Sequence, residues 1–163
     1  MKEIPVPSFS PARRVRHLTL LGIGAAILTL PGVAAASLGG QEASVAEDAV
    51  AVHATIRLQQ RAAYRLHEIA LNSGTMLHEY VNASGTVFAV AWHGPTLPNL
   101  KATLGQYFDT YVAAARLKVS PHRAVRVRQD ELVIESTGHM RAFSGIAYLP
   151  GLMPAGVTAG DLQ

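Results

Sequence analysis

Residues 64–92 read YRLHEIALNSGTMLHEYVNASGTVFAVAW and contain three β-prone runs separated by two glycine turns. The turns are Asn72-Ser73-Gly74 and Ala83-Ser84-Gly85, and the runs between them are short and rich in Val, Leu, Tyr and Phe. Glycine turns at such intervals are typical of successive β-hairpins. This stretch therefore predicts a three-stranded antiparallel meander.

Each of the first two strands carries a His-Glu pair, His67-Glu68 and His78-Glu79. A three-residue turn at 72–74 places Glu68 opposite His78 and His67 opposite Glu79, whereas a two-residue turn at 73–74 places Glu68 opposite Glu79. The apolar face of the meander is expected to contain Tyr64, Leu66, Met76, Tyr80, Phe88, Val90 and Trp92.

On that apolar face, the three-residue turn would place Glu68 beside His78. Burial and a partner charge both shift pKa values, so this pair is a candidate for acid–base catalysis. His67 and Glu79 are candidate metal ligands on the other face. We favour the alternative that both pairs are structural and satisfy polar groups between the strands.

The segments on either side of the meander predict two helices and two further strands. A capping-box spacing at Ser44–Glu47 opens a predicted helix over Val45–Gln60. Pro98 begins a second, amphipathic helix that ends near Leu117. Strands are predicted at 131–136 and 141–149. The expected fold is α+β, an antiparallel sheet (three-stranded meander plus a C-terminal hairpin) with two helices packed on it.

Three arginines, Arg123, Arg126 and Arg128, alternate in part with Val125 and Val127. This pattern favours an edge strand whose arginines face outward and discourage edge-to-edge aggregation. A small anion-binding strip is the other interpretation.

A second candidate binding cluster is His139, Met140 and Arg141, beside Gly138. Histidine and methionine can ligate haem iron, but the chain has no cysteine and so no Cys-x-x-Cys-His attachment motif. We favour a turn at Gly138, a packed Met140 and an Arg141 paired with a carboxylate such as Glu135. No cofactor is expected.

The N-terminal residues have the features of a secretory signal peptide. Three arginines at positions 13, 14 and 16 precede an apolar run, Leu18–Leu30, and the small residues 34–36. This pattern predicts cleavage between Ala36 and Ser37. The run is shorter than the roughly 20 apolar residues of a membrane-spanning helix. We expect a signal peptide at 1–36, a single domain at 37–163, a mobile beginning at Ser37–Gln41, and no membrane span after cleavage.

Cleavage changes the charge of the chain. The 14 Lys and Arg and 11 Asp and Glu fall to 10 of each once Lys2, Arg13, Arg14, Arg16 and Glu3 are removed. A neutral mature domain does not favour nucleic acid as a partner. The absence of cysteine excludes disulfides and thiolate metal sites.

Several strings of the mature chain carry a family resemblance. They are Tyr64–Glu68, Glu79–Val81 with Ser84-Gly85, Val87–Trp92 with Gly94-Pro95, Gly138–Phe143, and Tyr148–Pro150. Together they resemble the exported bacterial family catalogued as domain of unknown function 2844, over nearly the whole mature chain. The resemblance implies a signal-bearing envelope protein of a Gram-negative bacterium, and it implies no activity and no catalytic residue.

We therefore expect a small periplasmic or secreted protein that serves as a non-enzymatic binding or accessory component of the cell envelope. Its partner would be an envelope protein or an anionic envelope ligand. One alternative is a small metal-dependent or acid–base enzyme that uses Glu68 and His78. Another is a subunit of an envelope or secretion assembly. The oligomeric state does not follow from the sequence.

Overall fold

The computed structural model describes residues 37–42, 54–117 and 124–162. Within these residues, seven strands form one sheet in the order β1-β2-β3-β4-β7-β6-β5, and every neighbouring pair is antiparallel. The strands are β1 Thr55–Gln60, β2 Arg65–Ala70, β3 Met76–Val81, β4 Val87–Gly94, β5 Val125–Gln129, β6 Leu132–His139 and β7 Ala142–Tyr148.

One helical segment connects β4 in the middle of the sheet to β5 at its edge. It consists of α1 at Leu100–Leu104, a 3-10 turn at Gly105–Tyr107 and α2 at Phe108–Arg116. The side chain of Asn99 caps α1 by accepting a hydrogen bond of 3.2 Å from the backbone N–H of Ala102. A helix was predicted here, but Asn99 is its cap and it begins after Pro98. None of the described helices is long and apolar enough to cross a bilayer.

The predicted fold class is wrong. The described chain is mostly β, with one seven-stranded sheet and one α-helical segment, and not an α+β domain in which two helices pack on a three-stranded meander plus a C-terminal hairpin. The last six residues of the predicted first helix, Thr55–Gln60, form β1; residues 45–53 lie outside the described residues. Ile56 fits both a helical and a period-two pattern, and pairing with β2 decides between them.

The strand pairing decides between the two registers that the sequence leaves open for β2 and β3. The structure has the register of the three-residue turn, because Glu68 lies opposite His78 and His67 lies opposite Glu79. The sequence does not predict which strand of the C-terminal hairpin joins the meander, and in the structure β7 pairs directly with β4. The β4–β7 contact links residues far apart in sequence, and no local sequence pattern predicts it.

Both faces of the sheet are covered. The helix face is the side on which Val90, Ile134 and Ala147 pack with Leu100 and Leu104 of the helical segment. The tail face is the opposite side, which packs against the tail, residues 149–162. Its buried apolar residues are Leu66, Tyr80, Phe88, Ala89, Ala91 and Leu162.

The predicted apolar face is therefore divided between the two sides of the sheet. Val90 and Trp92 lie on the helix face, whereas Leu66, Tyr80 and Phe88 lie on the tail face. The register between β3 and β4 shifts at Tyr80/Val81, and Phe88 and Ala89 both lie on the tail face, so the alternation breaks within β4. An extra residue at such an irregularity interrupts the two-residue period on which the prediction depended.

The strap, residues 37–42, is part of the folded domain. Leu38 is only 1% exposed, and its N–H donates to the carbonyl of Thr103 at 3.0 Å. Gly39 donates to the carbonyl of Val87, and the N–H of Val87 donates to the carbonyl of Gly40. The expectation that Ser37–Gln41 is mobile is wrong, because the strap pairs with the start of β4 and inserts a leucine into the core.

We expect Leu38→Ala to lower the free energy of unfolding by about 2–5 kcal/mol, because it leaves a cavity in the main core. Urea unfolding followed by tryptophan fluorescence measures this loss. Leu117→Ala is the matched control, since Leu117 is 83% exposed, and it should change stability by less than about 0.5 kcal/mol. Equal stability of the two variants would contradict an integral strap.

Trp92 packs closely against a glycine of the neighbouring strand. Gly145 lies directly opposite Trp92. A Cβ added at Gly145 would lie 2.5 Å from Trp92 Cε2 and 2.9 Å from the carbonyl oxygen of Glu135. The indole is almost completely buried, and interiors are too densely packed for it to move aside freely. Gly145 is therefore required by the indole that lies over it.

Gly145→Ala should destabilise the domain by about 1–3 kcal/mol, the usual cost of overpacking a core. The emission of the chain's single tryptophan should shift as well, because the indole must be displaced. Gly151→Ala is the control, since a Cβ there has no atom within 4 Å. Thermal unfolding and fluorescence of both variants provide the test, and an unchanged melting temperature for Gly145→Ala would contradict this packing.

Candidate functional site

A cleft of about 670 Å³ opens on the tail face of the sheet, beside the end of the tail. Its apolar lining includes Ala91 and Ile146 of the sheet and Leu162 of the tail. Its polar lining consists of His78, His93, Arg128, Glu135, Ser144 and Tyr148. The cleft thus combines an apolar floor with hydrogen-bonding groups from five strands.

The strand register explains why these side chains meet. Successive residues of a strand point to opposite faces, so residues paired across strands share a face. One row across the sheet contains Glu68, His78, Ala91, Ile146 and Glu135.

The next row contains Met76, His93, Ser144 and Thr137. The two rows form the polar part of the tail face on either side of the β4–β7 contact.

His78 lies at the centre of this arrangement and is half-buried. Its ring centroid is 5.9 Å from that of His93, and the two rings are nearly perpendicular, at 74°. Burial lowers the pKa of His78, the carboxylate of Glu68 acts in the opposite direction, and His93 lowers it further. His78 therefore favours the neutral imidazole, which can accept a hydrogen bond or bind a metal ion.

The candidate catalytic pair, Glu68 and His78, is brought together on the tail face as direct cross-strand neighbours. His78 lines the cleft, but Glu68 is not part of its lining. Within the described residues no hydrogen bond joins the two side chains. The pair has the proximity that an acid–base dyad needs but not the shared access to a cleft.

The candidate metal ligands His67 and Glu79 are also opposite each other, but on the helix face, where they are 9% and 2% exposed. His67 Nε2 lies 2.9 Å from Glu42 Oε1 of the strap. Arg65 donates to both oxygens of the same carboxylate, at 2.8 and 2.5 Å. Hydrogen bonding from Arg65 is the main reason that the pKa of Glu42 is lowered.

These contacts make His67 part of an ion-paired cluster that holds the strap. Among the described residues, no group of three or more His, Cys, Asp or Glu side chains could hold a metal ion. Glu42 was not singled out from the sequence, because it lies well before β2 in the chain and no pattern connects it to Arg65 and His67.

Two of the three arginines, Arg126 and Arg128, lie on β5, an edge strand, as predicted. Arg126 and Arg128 are exposed and Val125 and Val127 are buried, whereas Arg123 lies outside the described residues. Arg128 Nη2 donates to Glu135 Oε1 at 2.7 Å, and this bond lowers the pKa of Glu135. One arginine of the strip, Arg128, is therefore paired with a carboxylate.

The cluster His139, Met140 and Arg141 lies at the tip of the β6–β7 hairpin and does not line the cleft. Met140 is 93% exposed, so the expectation that it packs is wrong. The predicted partner of Arg141 is also wrong, because Glu135 pairs with Arg128. Arg141 has a φ of 62°, a left-handed conformation unusual for a residue other than glycine.

Two buried polar atoms, the hydroxyl of Tyr80 and Nε1 of Trp92, have no hydrogen-bond partner among the described residues. Burial is the main reason that the pKa of Tyr80 rises to about 12. The ring of Tyr80 packs against Tyr64 and Phe88, with centroids 5.6 and 6.2 Å away. Tyr80 is therefore a neutral part of the tail-face core.

His93 and Ser144 are site residues that sequence reasoning missed. Both lie on the tail face, directly opposite each other on β4 and β7. The predicted β2–β3 register identifies the partner of His78, but the register shift at β4 hides its relation to His93. Ser144 could not be placed without the β4–β7 contact.

The fold and the site define a class: an antiparallel β domain with a polar-walled cleft on one face of its sheet. The chain belongs to the family described as "Protein of unknown function (DUF2844)", whose family model matches residues 34–162. The family resemblance noted from the sequence is thereby confirmed. No curated protein and no solved structure matches the chain.

The buried imidazole predicts a pH dependence of stability. A histidine whose folded pKa is lowered stabilises the fold above its unfolded pKa of about 6.5, and that contribution is lost as the pH falls through the folded pKa. The free energy of unfolding should therefore fall between pH 7.5 and pH 5, and fall less in His78→Gln. Urea unfolding at both pH values provides the measurement.

His139→Gln serves as the control for this experiment, since His139 is exposed at the hairpin tip. It should retain the pH dependence of the unsubstituted protein. A His78→Gln variant with the full pH dependence would show that another group is responsible.

Proposed function

We propose that this chain is an exported, non-enzymatic binding protein of the cell envelope and that its ligand is a small molecule held in the tail-face cleft. The cleft itself is the observation that carries the proposal. Its volume of about 670 Å³ falls within the roughly 300–1,000 Å³ of small-molecule sites. Its walls combine apolar surface with a few polar groups, the usual composition of such sites.

The positions of the polar groups support binding. They are carried by strands, so the backbone hydrogen bonds of the sheet hold them rigidly, and rigid groups lose little entropy when a ligand binds. Ser144 Oγ and Thr137 Oγ1 are hydrogen-bonded at 3.0 Å, which limits rotation of the Ser144 side chain.

The charge of the lining supports a particular class of ligand. Arg128 and Glu135 form an ion pair at one side of the cleft, and His78 favours its neutral form at the other. We therefore propose an uncharged, amphipathic ligand in place of the anionic ligand expected from the arginines alone. Apolar groups would contact Ile146, and hydroxyl or amide groups would bond to the imidazoles and Ser144.

Export is supported by the N-terminal sequence, with its arginines, its apolar run and its small residues before Ser37. The strap adds a structural argument. Cleavage after Ala36 would leave Leu38 in place, and with it the hydrogen bonds to Thr103 and Val87. The proposed mature chain thus retains every described residue.

The experiment is native mass spectrometry of the protein recovered from the envelope fraction of a bacterium that expresses the full chain, without chelator. The intact mass should correspond to a chain that begins at Ser37. A non-covalently retained small molecule should accompany the protein and be lost from Ser144→Trp, because the indole fills the cleft.

Ala142→Trp is the matched control. It places the same indole two residues away on β7, at an exposed position that does not line the cleft. This variant should retain the molecule. Retention by both variants would contradict the cleft as the site, and a protein recovered bare under all conditions would contradict small-molecule binding.

A further inference from the structure

Two imidazoles on neighbouring strands of the cleft are spaced as ligands of one ion. His78 on β3 and His93 on β4 both line the cleft, and their ring centroids are 5.9 Å apart. Metal–nitrogen distances of about 2.0–2.1 Å place a shared ion roughly 3.2 Å from each centroid, so two rings on one ion have centroids roughly 4.5–6.4 Å apart, depending on the N–metal–N angle. The observed separation lies within that range.

The ring nitrogens of both residues are available. In the described part of the chain, a ring nitrogen of His67 is hydrogen-bonded, whereas the ring nitrogens of His78 and His93 are not. The ring of His78 contacts the rings of His93 and Tyr80. His93 is exposed, so an ion can reach the pair from solvent.

Glu68 lies where a supporting carboxylate would be expected. It is the direct cross-strand partner of His78, on the opposite side from β4 and His93. A metal-ligating histidine commonly donates its other ring N–H to a carboxylate, which fixes the tautomer and raises ligand basicity. When Glu68 accepts this bond from His78, it acts as a positioning residue.

We propose that His78 and His93 together bind one divalent transition-metal ion, with the remaining coordination positions open to water or to a donor atom of a ligand in the cleft. Imidazole ligands suit Cu²⁺, Ni²⁺ and Zn²⁺, and Cu²⁺ binds tightest of the three in a site of given geometry. The inference rests on the proposed function only for the location of the site, which is the same cleft. Binding of the ion does not require an organic ligand.

The test is isothermal titration calorimetry of the recovered protein with CuCl₂ in a weakly coordinating buffer at pH 7.5, together with EPR of the bound ion. One Cu²⁺ per chain should bind, with an EPR spectrum that shows nitrogen ligation. His78→Gln and His93→Gln should each weaken binding at least about tenfold, the loss that even outer-shell substitutions cause. Glu68→Gln should weaken it about tenfold while leaving both nitrogen ligands in the spectrum.

His139→Gln is the matched control, because this exposed histidine lies at the hairpin tip outside the cleft. It should bind Cu²⁺ as the unsubstituted protein does. His93→Gln keeps the test valid if His78→Gln fails to fold, since His93 is exposed and its replacement leaves the core intact. Absence of Cu²⁺ binding, or binding of equal affinity in His93→Gln, would overturn the inference.

The outcomes separate this inference from the proposed function. A chain that binds Cu²⁺ through the two histidines but retains no organic molecule supports the metal site and contradicts the small-molecule proposal. A chain that retains an organic molecule but shows no histidine-dependent Cu²⁺ binding supports the proposed function and overturns the metal site.

Discussion

The contact on which the rest of this structure depends is the pairing of β4 with β7 at the centre of the sheet. β4 is buried on both sides from Val87 to Trp92, beneath the helical segment on one face and the tail on the other. β7 joins the strands that precede the helical segment to those that follow it. Because this pairing joins the two halves into one sheet, neither face of the sheet is complete without it.

Trp92 and Gly145 show how specific that contact is. The indole occupies the space that a Cβ on the opposite strand would fill. Glycine at position 145 of β7 is therefore needed to accommodate the tryptophan on β4. Close packing of this kind defines the register of the two strands, because a slip by one residue would place side chains against the indole and reverse every face. The same register places His93 opposite Ser144 on the other side of the sheet.

The cleft is therefore a consequence of the sheet's assembly. His78 and His93 come from the first four strands, Ser144 and Ile146 from β7, and the Arg128–Glu135 ion pair from β5 and β6. The tail supplies a wall through Leu162, which is completely buried. A site shared among elements so distant in sequence leaves no compact motif, which explains why no catalytic or binding signature is visible along the chain.

Local chemistry made part of the fold predictable from the sequence by itself. Glycine turns and alternating residues determined β2 and β3 and limited their register to two alternatives, valine–arginine alternation determined the edge strand β5, and helical spacing determined the segment after Pro98. Only the tertiary structure decided which β2–β3 register forms, that Thr55–Gln60 is a strand, that β7 pairs with β4, that Leu38 enters the core, and that His93 lies beside His78. Turn and capping preferences act over a few residues. These outcomes depend instead on which apolar surfaces from distant parts of the chain are buried against each other, and no local sequence pattern indicates that.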